Sequence, residues 1–196
     1  MSGLNNLQVN NSRPKEVPCS TTKQQVMKVG LEFLHGVGVD HICKVCIPNG
    51  GSCCIGCRSI KDEVGCQARN TSCTAWLCGF LKYIFYEAGL FDEWEKFWRQ
   101  VPGRAYREDF TPDDFTVRYW LESPKIRLLS KAFADDLKEL NPIHNPFWLL
   151  EIKETLDRYI DNIVEFTDSD MRWKYEKELK YLTKDFRRLH QALGQL

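Results

Sequence analysis

The sequence predicts a mostly α-helical fold: a helical bundle that carries an irregular cysteine-rich segment. Three observations support this. Apolar residues recur at helical spacing through most of residues 71–196, and helix-start signals precede successive stretches. Strand-like alternation is nearly absent. At 196 residues the chain can bury a real core, and six tryptophans and eleven phenylalanines are available to fill it.

The elements follow in order. MSGLNNLQVNNSRPKEVPCS, residues 1–20, reads as a polar arm, with Cys19 a lone thiol within it. TTKQQVMKVGLEFLHG spaces Val26, Val29, Leu31 and Leu34 as a helix does, with Thr21 or Thr22 as cap and Gly36 and Gly38 as stops. Residues 37–70 are rich in Gly, Cys and turn pairs, and predict loop rather than helix or ordinary strand. Thr71 or Ser72 caps a predicted helix through CTAWLCGFLKYIFYEAG, with Trp76, Leu77, Phe80, Leu81, Ile84 and Phe85 as its apolar stripe. Gly89 ends it, and FDEWEKFWRQV forms a short helix before PGR. Thr111-Pro112-Asp113-Asp114 has the composition of a helix start, and Ser123-Pro124 and Asn145-Pro146 repeat the signal. The helices expected after those two are KIRLLSKAFADDLKEL and FWLLEIKETLDRYIDNIVEF. Asp168 or Ser169 opens a final helix, MRWKYEKELKYLTKDFRRLHQAL, whose buried side is expected at Trp173, Leu179, Leu182, Phe186 and Leu189. A short connection makes the last two long helices an antiparallel hairpin. The organisation is thus an arm (1–20), a helix with the cysteine-rich region (21–78), and a helical domain (79–196) continuous with it.

Charge and targeting signals bound the function. The 27 Lys and Arg balance the 27 Asp and Glu, which argues against a dominant nucleic-acid footprint while leaving room for a local patch. Residues 1–80 hold eight basic against five acidic side chains. No apolar run approaches the length of a membrane span, and residues 1–20 lack the order of a secretory signal. The expectation is a cytoplasmic protein without a membrane segment, where structural disulfides rarely persist. The cysteine count is nine, an odd number.

Eight of the nine fall between Cys43 and Cys78: Cys43, Cys46, Cys53, Cys54, Cys57, Cys66, Cys73 and Cys78. Thiolates are soft ligands for zinc and for iron–sulfur clusters, and short spacings return two sulfurs to one centre. All eight are therefore candidate metal ligands. Two zincs would divide them as Cys43, Cys46, Cys54 and Cys57 against Cys53, Cys66, Cys73 and Cys78. That division forces the neighbours Cys53 and Cys54 into different sites. A [4Fe–4S] cluster accepts irregular spacings, although the ferredoxin runs are absent. On one regular helix, Cys73 and Cys78 would stand about 140° apart, able to bracket a cluster but not to share one zinc. The doublet takes its sense alongside Cys66, Cys73 and Cys78, so Cys53, Cys54, Cys66, Cys73 and Cys78 are the expected cofactor-binding set. Trp76 and Phe80 are placed to shield it.

GSCCIGC followed by VGCQARNTSC resembles the YkgJ-like cysteine-cluster family, described as zinc- or iron-chelating. Cys46, Cys53, Cys54, Cys66 and Cys73 stand at the matching positions, and Arg69 where the family has an arginine. The family's Arg-Pro is Arg69-Asn70 here, its tyrosine after the Gly-Cys element is missing, and the likeness covers about 35 residues. It implies an iron–sulfur or zinc centre and nothing about substrate.

The expected function is a cysteine-ligated metalloprotein, iron–sulfur ahead of zinc, in electron transfer or modification of a protein partner; no catalytic residue is identified. The alternative is a structural two-zinc module that binds protein or nucleic acid. A second alternative is thiol–disulfide exchange at CKVC or CIGC, which lack the usual strand-to-helix setting. His41 reads as a surface or hydrogen-bonded histidine, Asp135-Asp136 as surface, and Glu87, Asp92, Glu93 and Glu95 as caps and solvated positions. IPNGGSCC has neither the P-loop lysine nor the Rossmann spacing.

Overall fold

A computed structural model describes residues 18–51, 57, 59–61, 65–66, 68–105, 108–166 and 168–195. Among these residues the architecture is mostly helical, with nine α-helices and three two-stranded antiparallel pairs. The arm expected over residues 1–20 lies outside the described residues as far as residue 17. Cys19 is not in it, but in strand β1 (Cys19–Thr22).

Helix α1 (Lys23–Val37) begins where expected. The Thr22 hydroxyl accepts the Gln25 N–H, and Gly38 ends the helix in the left-handed region at φ 85°. The loop expected immediately afterwards is instead helix α2 (Val39–Cys46), whose Ile42, Val45 and Cys46 are buried. Arg127 at the start of α6 (Arg127–Leu140) fixes this corner. Its guanidinium donates to the His35 carbonyl at 2.6 Å and to the Asp40 carboxylate at 3.0 Å.

The helix expected through residues 73–88 is broken. Helix α3 (Thr71–Ala75) is capped by Asn70, Trp76 is extended, and α4 (Gly79–Glu87) starts again from Cys78. The cause is tertiary. A continuous helix would bond the Ala75 carbonyl to the Gly79 N–H, but the Trp94 indole N–H of α5 (Phe91–Arg99) takes that carbonyl at 2.9 Å. Gly79 also lies so close to α7 (Trp148–Glu165) that a Cβ there would overlap the Lys153 carbonyl oxygen.

The Thr111-Pro112 signal does not open a helix. Asp114–Val117 is strand β6, paired antiparallel with β1 so that Cys19 faces Val117 and Thr22 faces Asp114. Phe115, Thr116 and Val117 suit a strand, and the Thr111 hydroxyl donates to the Pro102 carbonyl rather than capping a helix. A tight pair, β4 (Arg104–Ala105) and β5 (Glu108–Asp109), precedes it, and β2 (Ile60–Lys61) pairs with β3 (Gly65–Cys66) inside the cysteine-rich stretch.

At the C-terminus α7 and α8 (Ser169–Leu182) pack side by side as the expected hairpin, with Asp168 capping α8. The single last helix expected to run to Leu193 is interrupted at residues 183–186, and α9 (Arg187–Leu193) turns onto α6. Asp136 explains the turn. It is buried, not on the surface as expected, and its carboxylate accepts the Arg188 and Leu189 N–H groups at 3.2 and 2.9 Å.

One hydrophobic cluster runs from Val26 through Leu189. Its aromatic centre has two parts. Phe33, Phe85, Trp94 and Trp98 join α1, α4 and α5, while Phe80, Tyr83, Phe133 and Phe186 join α4, α6 and the entry to α9. No helix among the described residues is long and apolar enough to cross a membrane.

Candidate metal centre

Among the described residues, α2 and α3 carry cysteines of the region. Cys43 and Cys46 fall one turn apart at the end of α2, with Cys43 half-buried and Cys46 buried. The Cys46 thiol donates to the Gly51 carbonyl at 3.1 Å, and the Gly51 N–H bonds back to the Cys46 carbonyl at 3.0 Å. A Cβ at Gly51 would overlap Cys46 Sγ, so only glycine lets the chain close this tightly over the sulfur. Asn49 strengthens the turn by donating to the Val45 carbonyl at 2.8 Å.

Cys73 lies in α3, half-buried, with its N–H bonded to the Asn70 side chain at 2.8 Å. Cys78 is buried at the N-cap of α4. The break between them removes the 140° relation expected on one regular helix: the two cysteines sit on separate elements. Cys57 is half-buried. Cys53 and Cys54 lie outside the described residues, and Cys66 is described only by its backbone in β3. Among the described residues, no three His, Cys, Asp or Glu side chains converge as metal ligands.

Asp109 holds α3 in place, and sequence reasoning missed it. Its carboxylate is 5% exposed and accepts the Thr71 N–H at 3.1 Å, the Thr111 N–H at 2.9 Å and the Lys23 ammonium at 2.9 Å. Burial works against its ionisation, yet the hydrogen bonds from Lys23, Thr111 and Thr71 outweigh it and hold the carboxyl well below the usual range. The Ser72 hydroxyl donates to the Glu108 carbonyl at 2.6 Å, and the Thr71 and Thr111 hydroxyls lie 2.8 Å apart. Arg69 donates to the Thr74 hydroxyl at 3.3 Å. The position of Cys73 is thus set from α1, β5 and the loop residue Thr111 together. The signal for this was a lone Glu-Asp pair ahead of Thr111-Pro112, far from the cysteines in sequence.

The remaining polar clusters have structural explanations. Lys82 of α4 donates to Asp161 of α7 at 2.6 Å and pairs ionically with Asp157 at 3.0 Å. His41 stands 3.4 Å from Arg127, in keeping with a hydrogen-bonded histidine. Glu87 is half-buried, and burial raises its carboxyl. Phe80 is fully buried in the core, whereas Trp76 is 44% exposed.

As a donor set, the region offers soft sulfur. That chemistry fits zinc or an iron–sulfur cluster and is unsuited to magnesium or calcium, which require oxygen. Comparison with protein-family models, with curated proteins and with solved structures finds no match.

Proposed function

We propose that this chain is a cysteine-ligated metalloprotein. Its centre is an iron–sulfur cluster drawn from Cys43, Cys46, Cys53, Cys54, Cys57, Cys66, Cys73 and Cys78, and its role is electron transfer or modification of a protein partner. The observation that carries the reading is the concentration of eight cysteines in 36 residues, with none in the 118 residues that follow. The resemblance of GSCCIGC and VGCQARNTSC to the YkgJ-like family supports it. Two devices of this chain are consistent with holding sulfur ligands: the glycine closure over Cys46, and the Asp109 anchor under Cys73. Cys53 and Cys54, with Cys66, would complete the set. Bound there, a cluster would supply one-electron chemistry; the chain would fix its ligands and limit water access.

One observation favours a second reading. Because the helix breaks at residues 76–78, Cys73 and Cys78 are no longer barred by helical geometry from a common tetrahedral site. That relieves one objection to two structural zincs, while the split of Cys53 from Cys54 stands; two zincs would make the region an interaction module.

Serine substitution tests both readings. Cys54→Ser, or Cys46→Ser, is expected to reduce metal bound per chain while far-UV circular dichroism stays helical. Unchanged metal in both variants would overturn the assignment of these ligands. A visible spectrum that bleaches in air separates the cluster from zinc.

A further inference from the structure

The strongest feature outside the cysteine region is the outward face of α8. Taking about 100° per residue, Trp173, Lys174, Lys177, Lys180 and Tyr181 fall within an arc of about 120°, and Lys184, in the turn just beyond the helix, sits against Tyr181. The buried Leu179 lies about 120° away from Trp173 by the same reckoning, which is why Trp173 faces out instead of joining the core as expected. Trp173 is 62% exposed and Tyr181 73% exposed. The four lysines are exposed and form no ion pair with a carboxylate among the described residues. Two of them cover the rings: Lys177 Nζ is 5.2 Å from the Trp173 ring centre, and Lys184 Nζ is 4.3 Å from that of Tyr181. Asp170, at the N-terminal end, is the one carboxylate of the helix within the arc.

Two large exposed rings and several exposed lysines thus share one face of the molecule. The geometry points to a binding surface for single-stranded nucleic acid on this face of α8, independent of any metal centre. Trp173 and Tyr181 are eight residues apart, about 12 Å along the helix, so each can stack on a separate base of one strand. Lys177 and Lys180 lie in the same stripe and Lys184 sits against Tyr181 just past the helix end, where the three can meet the phosphates between and beside those bases. A duplex offers no unstacked base to the rings. A membrane would need a continuous apolar surface, but here ammonium groups stand between the two rings, and Leu179 and Leu182 turn inward to the core. The balanced net charge of the chain does not bear on a patch of this size.

The test is fluorescence anisotropy of a labelled oligothymidylate of about 20 nucleotides, titrated with the full chain. Binding is expected to weaken with log[salt] at a slope of about −2, roughly −0.7 for each of three lysines, or about 20-fold between 50 and 200 mM. Trp173→Ala and Tyr181→Ala should each weaken binding roughly tenfold, with melting temperatures unchanged because both rings are exposed. Lys177→Gln with Lys180→Gln should flatten the salt slope, while Lys28→Gln on α1 should leave it intact. No binding at 50 mM salt would overturn the inference. So would affinity unchanged in the Trp173→Ala, Tyr181→Ala double variant, or equal affinity for the duplex. Binding to phosphatidylserine-containing vesicles without oligonucleotide binding would reassign the face to a membrane and overturn it as well.

Discussion

Removing the Asp109 carboxylate is the perturbation whose cost is best defined. Asp109→Ala leaves the Thr71 and Thr111 N–H groups without their acceptor and leaves Lys23, itself only 26% exposed, without its counter-charge. Hydrogen bonds from backbone N–H to a carboxylate are worth about 1.5–3 kcal/mol each, and breaking a buried pair from one side costs about 3–5 kcal/mol. Because Lys23 retains some solvent, the expected loss is about 3–4 kcal/mol, measured by urea denaturation at neutral pH. The pH dependence supplies an internal control. The folded carboxyl titrates below the unfolded one, so the unfolded state binds more protons in acid. The stabilisation is therefore fully present above the unfolded value, near pH 4, and fades as pH falls towards the folded value. Wild type should lose stability over that acid window, and Asp109→Ala should lose less. A deficit under about 1 kcal/mol at neutral pH, or parallel acid limbs, would refute the assignment of Asp109 as the anchor of α3.

Three further substitutions follow from close contacts. Gly79→Ala should destabilise by about 1–3 kcal/mol in chemical denaturation, against the usual gain for alanine in a helix, because the new methyl meets the α7 backbone. Asp136→Ala should cost about 2–3 kcal/mol and speed hydrogen exchange in α9 ahead of α7, since two N–H groups at the start of α9 lose their acceptor. Gly51→Ala should raise the reactivity of Cys46 towards a thiol reagent in metal-free protein, because the methyl must displace either the sulfur or the turn.

Local signals with no tertiary competitor were legible in the sequence. Thr22, Gly38 and Asp168 cap or stop helices as their chemistry dictates, and the α7–α8 hairpin follows from apolar periodicity and a short connection. What could not be read depended on partners remote in the chain. The Ala75 carbonyl is claimed by Trp94, the strand at Asp114–Val117 exists because Cys19–Thr22 pairs with it, and Asp136 is buried because α9 folds back onto it. Helix α2 was hidden by its cysteines and by the glycines on either side of it, although Ile42, Val45 and Cys46 have helical spacing. Trp173 was misplaced by hydrophobicity alone; its angle to Leu179, about 120°, already turns it away from the buried side. For the metal centre, the cysteines themselves were the legible part. Their supports, Gly51 and Asp109, were not, since one acts through the absence of a side chain and the other from a distant strand.

The central claim, a cysteine-ligated centre in residues 43–78, is tested most directly by metal and acid-labile sulfide analysis of the full chain purified without oxygen. The account predicts iron and sulfide in equal amounts, about four of each per chain, in a coloured protein. Colourless protein with about two zincs and no sulfide would refute the cluster and select the structural-zinc reading. Protein with neither metal, its eight thiols free, would contradict the account as a whole.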